Sequence, residues 1–291
     1  MKEALGRAAD WIVAAERVVV STGAGMSKES GIPTFRDAMD GLWAEYDPTE
    51  LATEAGFRKD PRRVWSWYAH RRRMIEACRP HAGHFALAQM ERLLPSLLLV
   101  TQNIDGLHAA AGSADVVELH GSIRRLKCLD HAHPFAGAPV PVENGDGGAA
   151  AADDTGLSGD LAGRVPNAPA STEEEEEDPP PCPVCGSPLR PDVVWFGEML
   201  PERAVERAWA GAERCDVLLM VGTSGTVWPA AELPRVARAG GARVVEVNPE
   251  AGDFAGAVDL FLQGPAGQVL PALLDCVGRR LGAQRGRQGQ S

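Results

Sequence analysis

Residues 18–37, "VVVSTGAGMSKESGIPTFRD", decide the fold. A β-branched run leads into Gly23 and Gly25, the punctuation of a strand that turns tightly where a phosphate can approach the backbone. The third glycine of a G-x-G-x-x-G loop is missing, and Lys28 fills its slot. Pro33, Thr34, Phe35, Arg36 and Asp37 follow at once, so an aromatic, a guanidinium and a carboxylate stand beside the glycine turn. No G-x-x-x-x-G-K-[ST] occurs in the chain, which argues against nucleoside triphosphate hydrolysis. Nor does an acid close a second strand about 20 residues further on, as a hydride-transferring dinucleotide enzyme requires.

Outward from this loop the same design repeats. "RVVV" runs into "STGAGMS", "SLLLV" into "TQNID", "DVVEL" into "HG", "DVLLMV" into "GTS" and "ARVVEV" into "NPE". Helical patterns over 61–77 and 81–94 lie between several of them, and "MKEALGRAADWIVAAER" has helical spacing at the N-terminus. Continuous apolar strands alternating with helices predict a parallel sheet covered on both faces. Ligands of such sheets bind beyond the carboxyl ends of the strands. Small and polar residues at any one strand end would merely turn the chain. At five strand ends they read as a single site contributed five times.

Residues 123–191 interrupt the alternation with "CLDH", an acidic stretch, "CPVC" and "PLRPD", and it resumes at "VVWFG". The expected organisation is a discontinuous sheet domain over 1–122 and 192–278, a small inserted module over 123–191, and a basic tail over 279–291 that frays. The net charge of −11 is concentrated: residues 141–180 hold eleven acids and one base, so the rest of the chain is nearly neutral. That stretch has no aromatic and four large aliphatics, too little apolar surface to offset its ordering entropy. It predicts a disordered acidic insert at about 136–180, with an acidic lure for basic substrates as the functional alternative. No apolar run approaches the ~20 residues of a membrane span, and the N-terminus lacks a signal peptide's apolar stretch. A cytoplasmic location is expected, with no membrane partner and no direct nucleic-acid binding.

Six cysteines in that setting read as thiols or metal ligands. Cys78, Cys215 and Cys276 sit in apolar contexts and read as buried. Cys182 and Cys185 form a C-x-x-C knuckle before Gly186, and Cys128 with His131 forms a C-x-x-H knuckle, a spacing that brings ligand pairs to one tetrahedral zinc. His133 competes with His131, and Asp130 stays open. Nothing gives that metal an open position in the cleft, so it reads as a structural zinc. His120 ends a buried strand, where an imidazole can act as a general base near neutral pH. A lone strand-end histidine is more often structural; the company of "QNID" and "GTS" along the same edge is what favours chemistry. Tyr68 and Arg71 stand at i and i+3 of the 61–77 helix. Together they could clamp a carboxylate, although "HRRR" alone reads as a solvated helix face.

"GAGMSKESGIPTFRD", "TQNIDGLH", "ELHG", "CPVCG…LRPDVVWFGEMLP", "VGTS" and "VNP", in that order through about 20–275, closely resemble the sirtuins, the NAD-dependent protein-lysine deacylases. The likeness is greatest to bacterial, class III desuccinylase-type members. It implies an α/β fold, a Rossmann-like parallel sheet with helices on both faces plus a small inserted zinc-binding module. It also implies transfer of an acyl group from protein lysine to ADP-ribose, with NAD consumed and nicotinamide and O-acyl-ADP-ribose released. Acetyl groups would be substrates, with succinyl and malonyl groups beside them. ADP-ribosyl transfer to protein is an alternative on the same activated sugar, and a non-catalytic NAD or ADP-ribose sensor is another. His120 together with Asn103 and Asp105 favours catalysis, because binding alone needs no base there.

Residue by residue, the resemblance places Gly23, Ala24, Gly25 and Ser27 on the phosphates and Thr34, Phe35 and Arg36 in a loop over the nicotinamide ribose. Gln102, Asn103, Ile104 and Asp105 would surround the ribose and carboxamide. Gly222, Thr223, Ser224 and Asn248 would hold the adenosine side, with Ala266 near the adenine. His120 would be the catalytic base. Val194, Phe196 and Gly197 would offer backbone bonds to a substrate strand. Tyr68 and Arg71 would hold an acidic acyl group, with Ala38 leaving room for it. Cys128, His131, Cys182 and Cys185 would ligate one zinc. Two departures from the family pattern stand out, the C-x-x-H first knuckle and the long acidic insert.

Overall fold

The computed structural model describes residues 1–33, 48–131, 133–135, 177–254 and 256–288. Its strands are β1 (Val18–Thr22), β2 (Leu97–Thr101), β3 (Val116–Glu118), β4 (Gly121–Cys128), β5 (Pro134–Phe135), β6 (Leu189–Val193), β7 (Val217–Val221), β8 (Arg243–Asn248) and β9 (Leu260–Gln263). Six of them form one sheet in the order β3-β2-β1-β7-β8-β9, and all its neighbours pair in parallel. Counted within that sheet the order is 3-2-1-4-5-6, the doubly wound arrangement whose direction of winding reverses beside β1. A crevice opens at such a reversal because the connections leave β1 and β7 toward opposite sides.

The apolar runs resolve into two faces by the period of two of a strand. Val18 and Val20 of β1 and Val217, Leu219 and Val221 of β7 join Leu5, Ile12, Leu87, Leu270 and Leu273, from the helices Lys2–Ala14, Ala82–Leu93 and Ala266–Gln288. Val19, Leu218 and Met220 join Ala208, Ala212, Leu233 and Ala237 on the other side, from Glu202–Arg214 and Leu233–Ala239. Burial on both faces is what a parallel sheet requires. The helix Ala266–Gln288 continues through residues 279–288, where the sequence predicts fraying; its apolar first half is locked into the core, and Arg280 pairs with Asp10.

The interruption forms a second, antiparallel sheet in the order β5-β4-β6. "VVWFG" does not resume the alternation as expected. Val193 ends β6 against Gly121, and residues 194–197 run on as irregular chain. The parallel sheet resumes only at Val217. The helix Pro61–Ala77, started by Asp60 accepting the Arg63 N–H, lays Val64, Tyr68 and Ile75 against Ile123, Val193 and Trp195. Most of the acidic insert, residues 136–176, lies outside the described residues.

At the reversal two loops interlock. The Gly25 N–H donates to the Gly222 carbonyl at 2.8 Å, and the Gly23 N–H to that of Val221 at 3.1 Å. A Cβ on Gly25 would stand 2.8 Å from the Gly222 oxygen, and one on Gly222 would be driven into the Met26 nitrogen. Gly222 also has φ +60°, in the left-handed region. Gly222→Ala is therefore expected to cost at least ~1–3 kcal/mol, seen as a thermal midpoint several degrees lower. An unchanged midpoint would show that the two loops part freely.

Candidate active site

The carboxyl ends of β1, β2, β3, β7 and β8 deliver polar residues to one edge, and hydrogen bonds wire them together. Thr22, last in β1, donates to Thr101, last in β2, at 2.8 Å. Thr101 Oγ1 in turn accepts the Asn103 N–H at 3.0 Å. The Asn103 side-chain amide donates to the Gly23 carbonyl and to Ser27 Oγ, each at 3.0 Å. Ser27 donates to Asp105 Oδ2 at 2.7 Å, while Asp105 Oδ1 caps the short helix Leu107–Ala110 by accepting the Leu107 N–H at 2.8 Å. Across the crevice Gln102 Nε2 reaches Thr223 Oγ1 at 3.3 Å, and Asn248 Nδ2 reaches the Thr223 carbonyl at 3.0 Å. Ser224 contacts Thr226 Oγ1 at 2.8 Å.

These partners leave backbone and amide oxygens of the two glycine loops fixed before any ligand arrives. Gly25, Gly222, Val247, Pro249, Pro265 and Ala266 line a small apolar recess beside them, suited to a flat base next to a phosphate cradle. The glycines have no side chains to fill that cradle, so the residues present fit an extended dinucleotide.

His120 follows β3 and is half-buried. Its Nδ1 lies 2.9 Å from the Gln102 carbonyl. A carbonyl can only accept, so Nδ1 carries the proton and Nε2 presents the lone pair. Burial lowers the imidazole's pKa, against the opposing pull of the Gln102 carbonyl. The arrangement is a neutral base of fixed tautomer.

Sequence reasoning missed the support behind the loop. His108 Nε2 lies 3.0 Å from Thr22 Oγ1, and His84 packs against it with ring centroids 4.9 Å apart. Burial pushes His108 down to about 3, so it stays neutral beside the hydroxyl chain. His81 bonds the Met26 carbonyl at 2.6 Å. The "GLH" and "HAGH" motifs were visible, but nothing in their spacing shows that they meet.

Tyr68 and Arg71 project from one face of Pro61–Ala77 toward this region. Tyr68 is buried and accepts the Trp195 indole N–H at 2.9 Å. Arg71 is half-buried, with its guanidinium 5.3 Å from the Trp67 ring centroid. Burial lowers its pKa, partly offset by Tyr68 and Asp105. Among the described residues no carboxylate forms an ion pair with it. A partly desolvated cation with no carboxylate beside it among the described residues is a costly thing to keep. Thr34, Phe35, Arg36 and Ala38 lie outside the described residues.

Val194 and Phe196 flank Trp195 as expected of an edge, but their amides are committed. The Val194 N–H donates to the His120 carbonyl at 3.0 Å and that of Phe196 to Ala52 at 2.8 Å. Bonds to a substrate strand would fall to their carbonyls and to Gly197, which has φ +86°.

Cys128, Cys182, Cys185 and His133 bring one donor atom each to within 4.8 Å of one another. Cys128 Sγ lies 3.5 Å from Cys185 Sγ, and Cys182 Sγ 3.7 Å from His133 Nδ1. Bonds of ~2.3 Å at tetrahedral angles space sulfurs roughly 3.7 Å apart, so the set fits zinc. His131, the expected fourth ligand, is exposed and outside the cluster. The reason is the hairpin: β4 and β5 pair Lys127 with Pro134, and the Cys128 N–H donates to the His133 carbonyl at 3.1 Å. That puts Cys128 and His133 opposite each other and leaves His131 in the turn. Of the other cysteines Cys215 is buried, whereas Cys78 and Cys276 are only half-buried.

A model of the Sir2 family matches residues 23–229. An NAD-dependent protein deacylase of Ralstonia nicotianae is 46% identical over 264 residues, 91% of this chain and 93% of that protein. A Sir2 homologue solved in complex with NAD shares 39% identity at a TM-score of 0.77, over 94% of both chains. Sir2Af2 bound to a myristoylated histone peptide shares 31% identity at a TM-score of 0.68, over 97% of this chain and 100% of that one.

Metal analysis of the purified protein is expected to find one zinc per chain. His133→Ala should lose it to a mild chelator, and His131→Ala should retain it. Loss from His131→Ala alone would restore the C-x-x-H assignment.

Proposed function

The chain belongs to the Sir2 family and is an NAD-dependent protein deacylase, and we propose that His120 is its general base and that Tyr68 with Arg71 admits acyl groups ending in a carboxylate. NAD, consumed as co-substrate, supplies an activated sugar carbon for attack by the carbonyl of an acylated lysine, with loss of nicotinamide. The protein's part is positioning and proton handling. Gly23, Ala24, Gly25 and Ser27 line the phosphates, with the Gly23, Gly25 and Ser27 N–H groups already donating within the protein and so holding the loop in shape. Gln102, Asn103, Ile104 and Asp105 line the ribose and carboxamide side, and Asp105, with both oxygens committed, keeps Ser27 in place. Gly222, Thr223, Ser224 and Asn248 hold the adenosine side, with Ala266 in the recess by the base. The resemblance assigns Thr34, Phe35 and Arg36 to the nicotinamide end and Ala38 to the acyl side; all four lie outside the described residues.

His120 Nε2 takes a proton from a ribose hydroxyl. The observation that carries this role is the Nδ1 contact with the Gln102 carbonyl, because it fixes which nitrogen is basic and ties it to the strand end beside it. The substrate lies as an extended segment along Val194, Phe196 and Gly197, where backbone pairing tolerates varied sequences. Cys128, Cys182 and Cys185, with His133, hold a structural zinc away from the chemistry. The organisation we favour is one NAD-binding unit over 1–122 and 192–278 with the zinc module inserted between. Cysteines used as three metal ligands and three thiols suit a reducing compartment, which supports a cytoplasmic location. Among the described residues no helix is long and apolar enough to cross a membrane.

The acyl preference rests on Arg71. A half-buried guanidinium with a phenol beside it and, among the described residues, no carboxylate of its own is matched by a ligand that brings one, as succinyl- and malonyl-lysine do.

Mass spectrometry of acetyl-, malonyl- and succinyl-lysine peptides incubated with NAD is expected to show acylated ADP-ribose with the unaltered protein and none with His120→Tyr. A base of lowered pKa works above that value and fails as pH falls through it. The acid limb of kcat/KM should therefore lie below the ordinary histidine value of 6.5, and product from His120→Tyr would remove the imidazole from the mechanism. A charge-assisted hydrogen bond contributes roughly 1.5–3 kcal/mol. Arg71→Met should thus lower the succinyl-to-acetyl ratio of kcat/KM about ten- to a hundredfold. Equal losses on both peptides would refute the clamp.

A further inference from the structure

Tyr68 is one half of the proposed clamp, and the hydrogen bond to its oxygen determines what the clamp can hold. An indole N–H only donates. By giving its proton to the Tyr68 oxygen at 2.9 Å, Trp195 makes the phenol an acceptor on that side and leaves the phenolic O–H to point elsewhere. Arg71, one turn further along the same helix, also only donates. The paired groups then turn donors toward the acyl terminus, which suits a carboxylate better than a neutral terminus.

Trp195 is itself held on several sides. The Arg190 guanidinium stacks 3.2 Å from its ring centroid. Arg190 is buried and pairs through two nitrogens with both carboxylate oxygens of Glu198, and its Nη2 donates to the Val193 carbonyl at 2.6 Å. Glu198 Oε2 accepts the Trp195 backbone N–H at 2.9 Å. Phe57 packs against the indole with centroids 5.4 Å apart. This is far more restraint than filling a core requires.

We infer that Trp195 is a specificity-determining positioning residue: its indole N–H turns the Tyr68 hydroxyl toward the acyl terminus, so that the pocket favours acyl groups ending in a carboxylate. The inference rests on the proposed acyl preference and deepens it. Trp195 touches no reacting atom; it acts through Tyr68.

The test is a double-mutant cycle read as the succinyl-to-acetyl ratio of kcat/KM. Trp195→Phe keeps an aromatic ring and removes the donor together with part of the indole's buried volume. One neutral hydrogen bond is worth a factor of about five. The ratio should fall about fivefold in Trp195→Phe and further in Tyr68→Phe, and the double variant should match Tyr68→Phe alone. A ratio unchanged by Trp195→Phe, or an additive double variant, overturns the inference while leaving the clamp intact. An unaltered enzyme inactive on succinyl-lysine overturns clamp and inference together.

Should Trp195→Phe melt early, the unaltered protein answers the same question. The NMR resonance of the Trp195 indole proton should shift more with succinyl-lysine peptide than with acetyl-lysine peptide. Equal shifts with the two peptides overturn the inference.

Discussion

The close approach of Gly25 to Gly222 is the constraint on which the site depends. Two loops leave the switch point of the parallel sheet, one after β1 and one after β7, and their backbones touch. No residue with a side chain could stand at either contact without moving the main chain. The order of strands puts the crevice there, and the missing side chains leave room for a pyrophosphate to approach the two backbones. What surrounds the crevice follows from that geometry. Once the loops are locked, the ends of β2 and β8 lie within hydrogen-bonding distance of them, and the end of β3 bonds to that of β2.

The wiring from Thr22 through Thr101 to Asn103 and Ser27 is a chain of neutral or fixed-charge partners, and this is why it suits a site that must hold still. A histidine that charged near pH 7 would rearrange such a chain. His108 and His84 are pushed so low by burial that they stay neutral across the working range. His120 differs in being only half-buried. Burial lowers its value too, against the pull of the Gln102 carbonyl, and a neutral imidazole with a committed Nδ1 can accept a proton on Nε2.

The sheet was legible because parallel strands buried on both faces are written as uninterrupted apolar runs, and five of the six parallel strands carry one. β9 escaped notice because Leu260–Gln263 is short and mixed, an edge strand that needs only one neighbour. "VVWFG" misled for the opposite reason: it has the composition of a strand, yet antiparallel pairing of β6 with β4 uses it up at Val193. The metal ligands show the same limit at the scale of a hairpin. C-x-x-C spacing identifies a ligand pair when both residues sit in one turn, as Cys182 and Cys185 do. The partner of Cys128 is set by which residue faces it across two strands, and that is His133. Register cannot be read from spacing along the chain. Tyr68 and Trp195, 127 positions apart, meet for reasons equally invisible there.

The ion pair between Arg190 and Glu198 joins the two halves of the molecule's chemistry. Arg190 lies on β6, which packs Leu189 against Cys128 and Cys182, while Glu198 closes the turn after the Val194–Gly197 edge. Burial works against the Glu198 carboxylate, but Arg190 and the Trp195 N–H outweigh it and hold its pKa below the usual range. Exchanging such a pair for apolar residues can be neutral for stability, whereas removing one partner strands a charge in the interior. Stability alone therefore gives little reason to keep Arg190 and Glu198 where Leu and Met would pack. Their geometry gives one: a planar guanidinium can face the indole, bond a carboxylate through two nitrogens and reach the Val193 carbonyl at the same time. The sheet that carries the Cys and His cluster and the segment around Trp195 are thus held in register by one buried cation.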